Sequence, residues 1–378
     1  MVYITTILIV VSGLIGRRNR YVFLIVIALL WILFGFNSIN PDYINYYNAY
    51  NNIFRYVGNI TEPLFQELMR IANATGINYQ FFLAIIAALS LILIGKTVWD
   101  FSPYPCLVMS LYFFYPFTLD VVQCRNALAL SIVIFAIKYI IEYQLSHDSK
   151  NLIKYATLII VSTGVHFSCA LYLIALTIFI KNKKLRRLLL FVLSVVLIIV
   201  IANIASFSGI VGYFIGSFKA SSWISNLGGM SLLRKTITAF IRIGINLICI
   251  LSLKLYKDKK YPEYLLKYKE SRFINTVDFN RISNGLYEII LYFSILSVFE
   301  ILISSTYERL GRPTFLLSLV LLTRSISIAS KSNKATDFFL LILLICAFFS
   351  YYMIFSPGDS RWFDLVFRAI LENNILFP

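Results

Sequence analysis

Apolar runs of about one helix length, separated by short polar breaks, recur along the chain. They fall near 2–16, 21–36, 79–95, 104–119, 124–142, 152–164, 167–180, 185–205, 234–253, 285–304, 308–326 and 336–355. About 20 apolar residues in an α-helix cross the roughly 30 Å hydrocarbon core of a bilayer. The pattern predicts an all-α, polytopic integral membrane protein with about 12 transmembrane segments. The arms 152–164 and 167–180 are short for full spans. One span in their place would reverse the side of every later basic loop, so a hairpin is expected near 152–180. Arms of about 15 residues rise only about 22 Å. The tip at 163–168 is therefore expected below the outer surface, where non-helical backbone is tolerated only in a cavity or inside protein. No composition shift, repeat or low-complexity tract divides the chain. Residues 1–378 read as a single integral domain with an outer loop at 37–78 and a basic inner loop at 254–284.

Composition agrees with this pattern. The chain is 59% hydrophobic and 14% charged, against roughly 45–50% apolar and about 25% charged in soluble domains. Residues 2–16 lack the basic start and A-x-A site of a cleaved signal peptide, so a retained first helix is expected. With the N-terminus outside, the inner loops hold 22 Lys and Arg and the outer loops 10, as the positive-inside rule requires. The net charge of +16 is thus a topology signal, and no nucleic-acid partner is expected. The Lys- and Tyr-rich loop 254–284 is expected to meet anionic membrane lipid or simply to orient the protein. The five cysteines (106, 124, 169, 249 and 346) form no CxxC and have no histidine at zinc spacing; neither disulfide nor metal nor other cofactor is expected.

The outer charges differ in kind from the inner ones. Eight of the ten outside are Arg, whereas inside Lys outnumbers Arg fourteen to eight. Orientation needs only positive charge, so a guanidinium bias points to planar recognition of carboxylate or phosphate, or to pairing with nearby acids and headgroups. Candidate chemistry gathers at the outer edge. In PFTLDVVQCRNALALSIVIF (116–135), Asp120, Gln123, Arg125 and Asn126 precede a long apolar helix. Charged groups at that depth face a protein cavity or each other, and an Asp120–Arg125 pair is one expectation. In STYERLGRPTF (305–315), Arg309 and Arg312 are three apart and point to one side of a helix start marked by Pro313. Deeper in the membrane, Arg242 and Glu300 are expected to pair.

The loop NSINPDYINYYNAYNNIFRYVGNITEPLFQE (37–67) is rich in Tyr and Asn and carries Asp42 and Glu62. Tyr43, Tyr46, Tyr47 and Tyr50 fall at i, i+3, i+4 and i+7, one face of a helix. Such a face suits either sugar stacking or an interfacial aromatic belt. A helix is expected from Pro63, capped by Thr61, and a stop at Gly76. His166, one of two histidines, falls at the hairpin tip beside Ser168. It reads as either a packing residue or a proton-transfer group, its ordinary pKa of about 6.5 suiting the latter.

Taken in order, Asp42-x-x-x-Tyr46-Tyr47, Glu62-Pro63-Leu64-Phe65, Gln123-x-Arg125-Asn126-x-Leu128-Ala129 and Gly164-Val165-His166-Phe167-Ser168 resemble the EpsG branch of Wzy-type bacterial polysaccharide polymerases. The likeness is closest over 30–180, with Arg309 and Arg312 as the late basic pair. It implies a GT-C-like, metal-independent glycosyltransferase in the bacterial inner (cytoplasmic) membrane, its site facing outward. The implied substrates are undecaprenyl-pyrophosphate-linked oligosaccharides, with a chain-length regulator and a flippase as implied partners. By that resemblance His166, Arg125, Asp42 and Glu62 are catalytic candidates. Arg309, Arg312, Gln123, Tyr46, Tyr47, Asn126 and Ser168 are substrate-binding candidates. An O-antigen ligase would carry a larger late outer loop, and a flippase or transporter would show inverted repeats and a path of intramembrane charge.

Overall fold

The structure is a computed structural model that describes residues 2–54, 60, 62–180, 182, 184–186, 188–189, 191–192, 195, 276–303, 310–328, 366 and 368–376. The expected segments at 234–253 and 336–355, most of 185–205, and Arg242 and Arg309 lie outside these residues. Among the described residues the chain is helical. The long elements are α1 (Val2–Gly16), α2 (Arg20–Gly35), α5 (Tyr79–Phe101), α8 (Cys124–Ser146), α9 (Ser149–Val165), α10 (Thr276–Ile303) and α11 (Gly311–Ile328). Between them lie α3 (Tyr43–Asn51), α4 (Pro63–Ala74), α6 (Pro105–Phe114) and α7 (Phe117–Val122). A 3-10 helix at Phe167–Phe179 follows α9, and α12 (Ala369–Glu372) lies in the C-terminal segment.

Tyr79–Phe101 and Cys124–Ser146 are long and apolar enough to cross a membrane, and Arg20–Gly35, Pro105–Phe114 and Phe167–Phe179 are shorter apolar helices. The outer face of the bundle is greasy. On α5, Phe81, Ile85, Leu89 and Ile92 are exposed at helical spacing, as are Ile4, Ile7, Leu8, Val11 and Ile15 on α1. A soluble protein would bury such stripes, whereas lipid is an equally good partner for them. α8 sits at the centre, packed on α5, α7, α9, the 3-10 helix, α10 and α11. Helices approach closely where side chains are small. A Cβ on Gly35 would come within 2.8 Å of the Ala84 backbone, and Trp31 Nε1 donates to Ala84 O at 2.8 Å across the same contact.

The hairpin forms. The Tyr155 hydroxyl on α9 donates to Tyr172 O in the 3-10 helix at 2.8 Å, which requires antiparallel arms about a turn at His166. The arms are longer than the expected 22 Å. Seventeen α-helical residues and thirteen 3-10 residues each rise about 26 Å, because the 3-10 form gains about 2.0 Å per residue. Two further expectations are corrected. Lys96 is not in an inner loop: α5 runs on to Phe101, with Lys96 Nζ 2.7 Å from Asp100 one turn later. Arg324, placed in the loop 324–334, lies within α11 and is buried.

Residues assigned to the same membrane side meet. Arg18 donates to Ser102 O and Trp99 O, all three expected on the inner side. At the other face, Ser38 N–H donates to Asn373 O at 2.9 Å and Asn37 Nδ2 to the same carbonyl at 3.2 Å. The described C-terminal residues therefore lie against the start of the segment 37–78, which is expected to be an outer loop.

Candidate functional site

The site forms where one expected span breaks. α6 ends at Phe114, since Pro116 supplies no N–H to continue the ladder, and α7 is a short helix after it. Gln123, at φ −108° and ψ 60°, departs from helical geometry before α8 begins, and no side chain caps that start. Irregular backbone among apolar helices is the usual way membrane proteins gather polar groups inside. Asp120, Gln123, Arg125 and Asn126 are all buried around this break.

The Asp120–Arg125 pair is not what forms. The bend sends the two side chains to different neighbours. Arg125 Nη1 on α8 meets Glu62 Oε2 at 2.5 Å. Asp120 Oδ1 on α7 accepts from Arg312 Nη1 of α11 at 2.8 Å, and its Oδ2 accepts from the Tyr112 hydroxyl at 2.5 Å. Arg312, 1% exposed, also donates through Nη2 to Gln123 Oε1. Two guanidiniums and two carboxylates leave this buried cluster with no net charge. Glu62 rather than Thr61 occupies the capping position, because Pro63 is the first helical residue of α4. Its side chain makes no cap bond and is turned to Arg125.

Among the described residues, several fully buried polar atoms of this cluster have no hydrogen-bond partner: Gln123 Nε2, Arg125 Nε, and both Nδ2 and Oδ1 of Asn126. Thr314 Oγ1 on α11 is in the same condition. Sequence reasoning passed over Thr314. Its only signal was its position two residues after Arg312 in GRPT.

The hairpin tip closes on the same region. A Cβ on Gly164 would meet Leu64 of α4 at 3.1 Å, Ser162 Oγ donates to Ala129 O of α8 at 2.7 Å, and Cys169 lies within electrostatic reach of Glu62. His166 is buried between α9 and the 3-10 helix. Its Nδ1 accepts from the Ser168 N–H at 3.4 Å and lies 2.8 Å from Ser168 Oγ. A backbone N–H only donates, so Nδ1 is the acceptor and neutral His166 carries its proton on Nε2. The tip is fixed to α11 as well: the Tyr172 hydroxyl donates to Leu310 O at 2.9 Å.

The tyrosine face divides. Tyr50 is buried and donates to Ile77 O at 2.6 Å. Tyr43 lies edge-on to Tyr79 and donates to Gln80 Oε1 at 3.0 Å. Burial, and then the neighbouring Tyr47, push the Tyr43 hydroxyl above its ordinary range, so it remains a donor. Tyr46 packs edge-on against Phe65, and Tyr47, 44% exposed, stacks on Tyr43. All four rings thus brace α3 against α4 or α5, Tyr47 included, since it lies edge-on to Tyr79 at 5.7 Å, and Tyr47 is the most exposed of them. Asp42 stands at the start of α3 without capping it, within electrostatic reach of Cys124, the residue before Arg125. Gly76 ends the α4 region in the left-handed conformation, φ 76°, that glycine adopts without steric cost.

The structure therefore joins Glu62, Gln123, Arg125 and Arg312, with Asn126 the next residue of α8. His166 and Ser168 lie at the neighbouring hairpin tip, and Asp42, Tyr46 and Tyr47 lie on the flanking α3. Neither the curated proteins nor the solved structures contain a match to this chain. A family model described as the EpsG family matches residues 20–366, and the chain belongs to that family.

Proposed function

We propose that this protein is a polysaccharide polymerase that joins undecaprenyl-pyrophosphate-linked oligosaccharide repeat units on the extracytoplasmic face of the membrane. EpsG family membership supports a polymerase of this general type, and the excess of Lys and Arg on the opposite loops supports the outward orientation. The observation that carries the reading is the crossing of two buried ion pairs, Arg125–Glu62 and Arg312–Asp120, at one broken helix. A buried guanidinium already held by a carboxylate is set for another planar or tetrahedral oxyanion.

In the proposed reaction an acceptor sugar hydroxyl attacks the anomeric carbon of the donor chain. The carbon–oxygen bond to pyrophosphate breaks, undecaprenyl pyrophosphate leaves, and the hydroxyl proton passes to a protein base. Arg312 and Arg125 neutralise the departing pyrophosphate as preorganised positive charge, in the place a metal would otherwise take. Pyrophosphate competes with Glu62 and Asp120 for those guanidiniums. A carboxylate displaced this way becomes a better base at the moment the donor is seated, which favours Glu62, with Asp42 behind it. The Nδ1 of His166 is occupied as an acceptor, which favours an orienting role, through the proton on Nε2, over proton abstraction. Tyr47 offers a ring face for a sugar.

The test is reconstitution in lipid nanodiscs with a lipid-linked repeat unit. A polymer ladder with release of undecaprenyl pyrophosphate is expected. Transfer of a chain to a different acceptor indicates a ligase, and unaltered substrate moved across a liposome bilayer indicates a transporter. If Arg125→Ala and His166→Ala both leave polymer length and amount unchanged at normal protein level, the proposed centre is wrong.

A further inference from the structure

Among the described residues each guanidinium of the site has a carboxylate partner, but several of its uncharged groups have no partner. Gln123 and Asn126 are each 2% exposed. Gln123 is the residue before α8 and Asn126 lies in its first turn. Gln123 spends its carbonyl oxygen on Arg312 and keeps its amide N–H group without a partner. Asn126 makes no hydrogen bond through either side-chain atom, and the Nε–H of Arg125 beside it is also unused. Buried amides are almost always paired, and leaving one unpaired costs about 1–3 kcal/mol. Three donors and one acceptor thus stand ready within one turn of helix, next to guanidiniums whose charge is already balanced.

We propose that Gln123, Asn126 and Arg125 Nε form a subsite for an uncharged sugar group, one that carries both a donor and an acceptor, on the lipid-linked substrate. A sugar hydroxyl, or an acetamido group with its N–H and C=O side by side, matches the paired Nδ2 and Oδ1 of Asn126. A second phosphate does not, since Asn126 Oδ1 offers it no donor. The inference rests on the polymerase reading and deepens it: Arg312 and the Nη groups of Arg125 serve the pyrophosphate end, and the amides read the first sugar.

The experiment uses Asn126→Leu, an apolar residue of similar shape, in the full chain purified in nanodiscs. Without ligand, the substitution removes two unsatisfied atoms, so the melting temperature stays level or rises. Affinity for the sugar-bearing lipid falls at least tenfold, whereas affinity for bare undecaprenyl pyrophosphate stays within twofold. A lowered melting temperature would mean that Asn126 has a structural partner, and the proposal fails. It fails equally if binding of the sugar-bearing lipid is unchanged, or if both lipids lose affinity alike. Should wild-type protein bind neither lipid, the polymerase reading falls with the sugar subsite. Should it bind both while Asn126→Leu discriminates nothing, only the subsite is lost. Asn126→Val provides a second variant with the same expected split, in case Asn126→Leu does not fold.

Discussion

α11 carries a buried arginine near each end, and the two are held in opposite ways. Arg324, 4% exposed, gives Nε to Ser283 Oγ, Nη1 to Phe101 O and Nη2 to Phe279 O, and its guanidinium lies 3.9 Å above the Phe279 ring. Among the described residues its acceptors are chiefly backbone carbonyls, including one at the C-terminal end of α5, where orphan carbonyls and negative helix-dipole charge need a cation. Arg312 gives its donors to side chains that could be replaced by a ligand, Asp120 and Gln123. Amides around it are left unfilled, while around Arg324 Ser102 and Thr323 pair with each other at 2.8 Å. Burial of an arginine is therefore not by itself a mark of function. The distinction lies in whether its partners are fixed backbone or exchangeable anions, and in whether neighbouring polar groups are satisfied.

The sharpest way to break this comparison is to make the same conservative change at both ends. Lysine keeps the charge, but one ammonium cannot reproduce a planar fork that bridges two acceptors. Arg312→Lys is expected to lower polymer formation per folded molecule by about 100-fold, the order seen when one preorganised stabilising donor is lost. Arg324→Lys is expected to cost about 2–3 kcal/mol of stability by leaving buried acceptors unfilled, with turnover of the surviving folded protein within about twofold. Size-exclusion yield, thermal melting and the polymer ladder separate the two effects. Equal losses of specific activity would erase the distinction between the two ends.

Much of this was legible in the chain, for identifiable reasons. Hydropathy located α1, α2, α8 and the hairpin because each apolar run ends at a polar or charged break. It misjudged α5, where Lys96 reads as a loop but reaches Asp100 along the helix surface, its aliphatic stem running along the apolar helix. It also misread Arg324, whose acceptors are main-chain atoms that no side-chain pattern reveals. The polar residues of the site were all visible as interruptions, except Thr314, which looks like an ordinary helix-start threonine. Their pairing was not visible. Glu62 and Arg125 are 63 residues apart and Asp120 and Arg312 are 192 apart, so which acid meets which base is decided by packing of α4 and α11 onto the break. The tyrosine face was found from spacing, but how deeply each ring is buried depends on Tyr79, Phe65 and Gln80 from other helices.

A smaller effect sharpens the claim that the carboxylates at the Arg312 end are exchangeable. Glu62→Gln keeps shape and removes the charge that occupies Arg125. If an anion competes for that guanidinium, affinity for bare undecaprenyl pyrophosphate should rise about tenfold, or about 1.4 kcal/mol. Polymer formation should fall over the same range, because the displaced base is gone. Binding and turnover then move in opposite directions, which an Arg125–Glu62 pair acting only as a brace would not produce: loosening a brace weakens both.

The smallest expected effect tests whether the hairpin tip sets the position of Arg312. The Tyr172 hydroxyl holds Leu310 O at 2.9 Å, two residues before Arg312, while the Tyr172 ring packs edge-on against Phe293 of α10 at 4.6 Å between centroids. Tyr172→Phe keeps the ring contact and removes one hydrogen bond, worth about 1 kcal/mol. Because that bond fastens the start of α11, part of the loss should appear as misplacement of Arg312. Turnover should fall about threefold with little change in the KM for the lipid-linked unit, since positional error costs more in the transition state than in binding. Arg324 is more than three turns away along α11, and its junction should be untouched. A drop in melting temperature with unaltered turnover would show that Tyr172 merely secures the fold and leaves Arg312 where it was.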